Sequence, residues 1–219
     1  MPRLKKVVLG RSIQRHVISA YWRAGRRCDT TLVLAGMHGD EPKSVHVANE
    51  LLHLLDQEPD AAPKTNWIIV PVVNPDGCDN RHRRNARGVD INRNFPTKNW
   101  AESSPRSRMY GGPRPASEPE TRVVIRTVEM YHPDRIITIH SIDRGRHCNN
   151  YDGPGRGMAR RMARWNGYPV RSSIGYPTPG SFGTWAGAER GIPTLTLELP
   201  APDSAKKCWE RNRDALLST

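Results

Sequence analysis

Four side chains in this sequence have the types and placement for metal-assisted hydrolysis: His38, Glu41, His140 and Glu198. His38 and Glu41 stand three residues apart in Gly36-Met37-His38-Gly39-Asp40-Glu41, directly after the apolar run Leu32-Val33-Leu34-Ala35. That run reads as a buried strand, Gly36 ends it, and both side chains arrive on the loop that follows. An imidazole nitrogen and a carboxylate oxygen are both zinc ligands, and a catalytic zinc takes three protein ligands and keeps one position open. Alone, His-x-x-Glu is a weak signal, because a surface histidine beside an acid at a helix start looks the same. His140 follows Ile136-Ile137-Thr138-Ile139, and Glu198 follows Thr194-Leu195-Thr196-Leu197. Taken singly, His140 is equally a hydrogen-bonded core histidine, and Glu198 a partner for one of the many arginines. Taken together, three strand ends carry polar groups, as a site at the carboxyl ends of parallel strands needs. His38, Glu41 and His140 then form a His₂Glu set for one Zn2+ per chain, and Glu198 is free to act as a base.

The elements that must position these groups follow from periodicity. Short strands are expected at 6–9 and 16–22, the second supported by the alternation Val17, Ser19, Tyr21. After the first site loop, Asp40 is placed to cap a helix with Pro42 in its first turn. Val45, Ala48, Leu51, Leu52 and Leu55 recur along it at helical spacing, and His46 and His53 read as ordinary exposed or half-buried residues. Residues 56–66 form a polar loop with two prolines. Residues 67–73 read as a strand covered on both faces, with Pro71 near its end or at an edge because proline cannot donate to the ladder. From 74 to 115 the chain reads mostly as loop, long enough to be functional or disordered. Ser117-Glu118-Pro119-Glu120 has the capping-box pattern before a helix with Val123, Val124, Thr127 and Val128. Residues 153–157 read as a turn-rich link, 158–165 as a short basic helix and 175–183 as a second irregular loop. Asp203 is placed to start a C-terminal helix. Strands alternating with helices, without repeat or linker, predict an α/β fold in one domain spanning 1–219.

Composition narrows the classes. The 219 residues carry 34 Lys and Arg against 22 Asp and Glu, a net charge of +12, which favours anionic partners or serves solubility alone. A nucleic-acid binder would line one groove with basic residues and stacking aromatics. Here the basic residues are scattered, and only 81–87 is dense, so no nucleic acid is expected. The cysteines at 28, 78, 148 and 208 form no Cys-x-x-Cys pair, so neither a zinc ribbon nor a redox motif is indicated. No apolar run suits a signal peptide or approaches a membrane span, and a cytoplasmic location is expected. The sequence does not settle the oligomeric state.

The motifs resemble the zinc metallocarboxypeptidase family. The resemblance rests on His38-Gly39-Asp40-Glu41, Asn74-Pro75-Asp76-Gly77, Gly88-Val89-Asp90-Ile91-Asn92-Arg93-Asn94-Phe95, His140 after its strand and Leu197-Glu198-Leu199. These follow the family's order over roughly residues 31–200. Asn85-Ala86-Arg87-Gly88 and Gly175-Tyr176-Pro177-Thr178-Pro179-Gly180-Ser181 further resemble the bacterial murein peptide amidases, which cut between γ-D-glutamate and meso-diaminopimelate. The resemblance implies a mixed, mostly parallel twisted sheet flanked by helices, a zinc cofactor and a murein peptide substrate. It implies that zinc acidifies its water and polarises the scissile carbonyl while Glu198 relays the proton. Asn92 and Arg93 match the pair that grips a substrate carboxylate, and Asp90 matches the acid that orients a ligand imidazole, here His38. Spacing before Asn92 favours Arg83 over Arg84 and Arg87 as the arginine facing the oxyanion. Tyr176 is the candidate for the mobile tyrosine of the digestive enzymes. A zinc acylamino-acid deacylase with the same ligands is the alternative enzyme, and a basic nucleic-acid-binding protein the alternative of another class.

Overall fold

The computed structural model describes residues 4–57, 65–142 and 146–219. Residues 58–64 of the expected polar loop lie outside it, as do residues 1–3. In chain order the strands are β1 (Lys5–Arg11), β2 (Val17–Arg23), β3 (Thr30–Leu34), β4 (Asn66–Val70), β5 (Arg135–Ile142), β6 (Cys148–Asp152), β7 (Val170–Arg171) and β8 (Thr194–Pro200). The helices are α1 (Pro42–Gln57), α2 (Pro75–Asp79), α3 (Pro119–Tyr131), α4 (Arg156–Asn166) and α5 (Ala205–Leu217).

All eight strands form one sheet in the order β1-β2-β4-β3-β5-β8-β6-β7. β4, β3, β5 and β8 run parallel to one another at its centre, while β1, β2 and β6 pair antiparallel. The central strands are apolar on both sides because both faces are covered. Val33, Ile69, Ile137 and Leu195 pack beneath α1, α4 and α5. Leu32, Leu34, Ile68 and Ile136 face α3 together with Phe95, Phe182 and Trp185. From β3 the chain crosses through α1 to β4 on one side, then returns through α3 to β5 on the other. The strand order therefore reverses at β3 and opens a crevice at the carboxyl ends of β3 and β5.

β2 forms where the alternation placed a strand, with Ile18 and Ala20 buried and Val17 exposed. Several local expectations shift, each for a physical reason. α1 begins at Pro42, so the residue before it is Glu41 rather than the expected cap Asp40. The capping box at Ser117 does not form. Pro119 takes the first helical position and holds Glu118 extended, as a residue before proline must be. The cap position falls on Glu118, which makes no side-chain cap bond. At the C-terminus Ser204 caps α5 by accepting from Lys207 N, and Asp203 instead pairs with the Lys207 ammonium. β5 and β8 each run two residues beyond the expected ends at His140 and Glu198. β6, β7 and a π-helical turn at Thr184–Ala188 had no apolar alternation to announce them.

The long segment 74–118 contains only α2 and a 3₁₀ turn at Ile91–Arg93, and side-chain amides hold it instead. Asn74 Oδ1 accepts from Gly77 N at 3.0 Å. Asn85 Oδ1 accepts from Arg87 N and Val89 N, and its Nδ2 donates to Glu118. Asn94, fully buried, donates to Gly111 O at 2.6 Å and Ser117 Oγ at 2.9 Å and accepts from Glu118 N at 3.1 Å. Most of these partners are backbone groups that would otherwise be buried unsatisfied.

Asn94→Ala should therefore destabilise the protein by about 3 kcal/mol, because it strands buried donors and acceptors on three sides. Denaturant unfolding measures this, and a loss below about 1 kcal/mol would show that the segment is held by other contacts.

Candidate metal centre

The turn after β3 brings the first pair of site residues into position. Gly36 adopts φ +59, a left-handed conformation that costs glycine little. It turns the chain across the end of β4, where Val73 N donates to Ala35 O and Asn74 N to Gly36 O. Gly39 then lies so close to Gly77 that a Cβ would overlap its backbone. The Asn74-Pro75-Asp76-Gly77 motif is thus the bed on which the His38–Glu41 loop rests. His140 comes from β5, and Glu198 lies beside it in register on β8.

His38, Glu41 and His140 converge, all three buried. His38 Nδ1 is 2.8 Å from Glu41 Oε1, His140 Nδ1 is 3.0 Å from Glu41 Oε2, and the two Nδ1 atoms are 3.2 Å apart. Ligand atoms around a tetrahedral zinc with bonds of 2.0–2.1 Å are separated by about 3.3 Å, so the spacing fits that ion. Two imidazole nitrogens and a carboxylate this close repel through their lone pairs unless a proton or cation lies among them. The remaining bonds fix the groups: Ser141 N donates to Glu41 Oε2 at 3.0 Å, and His38 Nε2 meets Asp90 Oδ1 at 3.0 Å. The Asp90 contact leaves His38 Nδ1 facing the centre.

The electrostatics favour positive charge here. Burial alone would push the His38 imidazolium down, yet the Glu41 and Asp90 carboxylates outweigh it and hold the group up at about 9. Burial alone would raise Glu41 and Asp90, but His38 and the other neighbouring cationic groups keep both below the usual carboxylate range. His140 is lowered, chiefly by burial. Glu198 is raised to about 8, first by burial and then by the Glu41 carboxylate.

Among the three candidate arginines only Arg83 reaches the ligands. Its Nε and Nη2 each lie 3.0 Å from Asp90 Oδ2, and Nη1 is 3.6 Å from Glu41 Oε1. Arg84 spends its guanidinium on the carbonyls of Gly88, Pro105 and Ser107, and Arg87 is exposed near Glu118. Arg93 is buried, donates from Nη1 to Asn92 O at 2.6 Å and makes no ion pair with any described residue. Its Nε has no hydrogen-bond partner among the described residues. Asn92 Oδ1 accepts from Phe182 N at 2.9 Å, which turns its amide nitrogen toward the cleft. A cleft of about 610 Å³ joins His38, Glu41, His140, Glu198, Arg83, Asn92 and Arg93, with Tyr176 on its wall. Asn150, Asp152, Thr196 and Arg146 also line it and were not singled out from the sequence. Thr196, two residues before Glu198, was legible from the strand period, whereas Asn150 and Asp152 lie on the strand that gave no alternation.

A family model described as zinc carboxypeptidase matches residues 4–206. The chain belongs to this family of zinc-dependent hydrolases. Murein peptide amidase A of Escherichia coli K12 is 33% identical over 198 residues, covering 84% of this chain and 76% of that protein. The Vibrio campbellii protein of the same name is 32% identical, covering 85% and 75%. The crystal structure of a murein-tripeptide amidase from Escherichia coli O157 superposes with a TM-score of 0.80 at 31% identity, covering all of this chain and 93% of that one. Carboxypeptidase A of Helicoverpa armigera shares the fold at a TM-score of 0.79 and 21% identity, covering 99% and 66%.

The ligand set should bind one zinc per chain, and His140→Ala should abolish stoichiometric zinc. Metal analysis of dialysed protein decides this, and full zinc retention in the variant would refute the assignment. Asp90→Asn should retain the site but weaken zinc binding about 10- to 100-fold, because it removes the charge that orients His38.

Proposed function

We propose that this chain is a murein peptide amidase that hydrolyses the bond between γ-D-glutamate and meso-diaminopimelate, with residues 1–219 acting as one catalytic domain. The observation that carries the reading is the buried guanidinium of Arg93, without an ion-pair partner among the described residues, on the same cleft as the metal ligands. A buried cation without a partner is costly, and a substrate carboxylate relieves that cost through the planar fork. The similarity to the Escherichia coli and Vibrio campbellii amidases supports the murein substrate. The four free cysteines support a reducing compartment such as the cytoplasm.

Held by His38, Glu41 and His140, zinc would supply a Lewis acid and a water of lowered pKa. Asn92 and Arg93 grip a free carboxylate on the leaving side and so fix the scissile amide over the ligand set. Arg83, anchored by Asp90, faces the carbonyl oxygen as negative charge develops there. Glu198 takes a proton from the attacking water and returns it to the leaving amine.

Incubating zinc-loaded protein with a diaminopimelate-containing murein tripeptide should release free meso-diaminopimelate, read by mass spectrometry. An acylated amino acid run in parallel should be left intact, and the reverse pattern would identify a deacylase. Glu198→Gln should keep zinc and lose about 10³-fold or more in kcat, whereas activity within a few-fold of wild type would remove Glu198 from the mechanism. Arg93→Ala should lower kcat/KM strongly without loss of zinc, and Arg93→Lys should recover only part, since an ammonium lacks the fork. Wild type should discriminate sharply against a tripeptide with an amidated terminal carboxylate. Equal discrimination in Arg93→Ala would move the carboxylate grip elsewhere.

A further inference from the structure

The cleft is rich in arginine, and among the described residues the acids that line it are Asp40, Glu41, Asp152 and Glu198. Glu41 belongs to the ligand set, Asp40 adjoins it, and Glu198 has its proton-transfer role. Asp152 is left without a task. It ends β6, and Asn150 stands two residues before it, so both side chains leave the same face of that strand. β6 runs antiparallel to β8 with Asn150 opposite Thr196 and Cys148 opposite Glu198. The two β6 side chains therefore lie along the sheet on the side of Glu198 away from β5 and the metal ligands. That is where the leaving half of a substrate must extend once its carbonyl meets the ligand set and its carboxylate meets Arg93.

Both groups are acceptors without donors. The Asp152 carboxylate has no hydrogen bond or ion pair with any described residue, and burial alone pushes it up to about 6. The buried Oδ1 of Asn150 has no hydrogen-bond partner among the described residues. Buried acceptors are normally satisfied, and unsatisfied ones call for an explanation. The surrounding chain is also shaped to keep the carboxylate in place. A Cβ on Gly183 would collide with Asp152 Oδ2, and one on Gly187 would collide with its Cβ and backbone. These glycines flank and enter the π-helical turn at Thr184–Ala188, a distortion often found at functional sites.

We propose that Asp152 and the Asn150 carbonyl form an acceptor subsite for the side-chain ammonium of the residue on the leaving side, so that the enzyme selects a diamino acid there. The proposal rests on the amidase reading and deepens it. Diaminopimelate carries a second amino group on its distal carbon, and an ammonium supplies the donors and the positive charge that both acceptors lack. Asp152 and Asn150 are specificity residues and take no part in bond cleavage.

Calorimetric titration of free meso-diaminopimelate and of 2-aminopimelate into zinc-loaded protein tests the subsite without turnover. The second compound keeps the distal carboxylate and lacks the distal ammonium. Wild type should prefer diaminopimelate by about tenfold or more, the scale of a hydrogen bond to a charged group. Asp152→Asn should bring the two within about threefold, and Asn150→Asp, which adds a carboxylate, should widen the gap. Should Asp152→Asn fail to fold, Gly183→Ala displaces the same carboxylate and should also narrow the gap. No preference in wild type, or an undiminished preference in Asp152→Asn or Gly183→Ala, overturns the subsite. A preserved preference without turnover of the murein tripeptide overturns the amidase reading and leaves the subsite standing.

Discussion

The structure is built around buried negative charge at the carboxyl end of β3. Glu41 and Asp90 are both removed from water, and a buried carboxylate persists as an anion only when opposite charge and hydrogen bonds surround it. Two histidines and Arg83 supply part of that compensation, and a metal ion bound among the ligands would supply the rest. His38 is shared between the two carboxylates, and this links the ligand set to the 3₁₀ turn that carries Asn92 and Arg93. Displacing Asp90 would thus disturb His38, Arg83 and the turn bearing Asn92 and Arg93 together.

The sheet converts this local constraint into a reaction geometry. β3, β5 and β8 run parallel and in register, so His140 and Glu198 are delivered by rigid strands to the crevice that the His38–Glu41 loop enters from the end of β3. Loops would do so less reliably. The loop 74–118 lies across that crevice with few backbone ladders. Its ordering by buried asparagine amides explains why asparagine recurs in its motifs at 74, 85, 92 and 94. A loop held by side-chain hydrogen bonds can be shaped to a substrate without lengthening any strand.

Much of the candidate centre was legible in the sequence because its residues follow apolar runs that read as buried strands, and because glycine marks the turn after β3. Apolar spacing also located α1 and α3, while a basic stretch pointed to α4 and Asp203 to the start of α5. Local patterns failed where a competing constraint decides: Pro119 displaced the capping box. β6 was illegible because Cys148-Asn149-Asn150-Tyr151-Asp152 has three polar residues in five and no apolar alternation, with Asn150 and Asp152 on the cleft. The choice among Arg83, Arg84 and Arg87 also needed coordinates, since only the turn at Gly88 shows which guanidinium is spent on backbone carbonyls.

The central claim is that the buried charge cluster is a zinc site. Anomalous diffraction at the zinc edge from crystals of zinc-loaded protein tests it most directly. One strong peak per chain is expected, about 2.0–2.2 Å from His38 Nδ1, a Glu41 carboxylate oxygen and His140 Nδ1. A peak at any other position, or none among these three residues at full zinc loading, would contradict it.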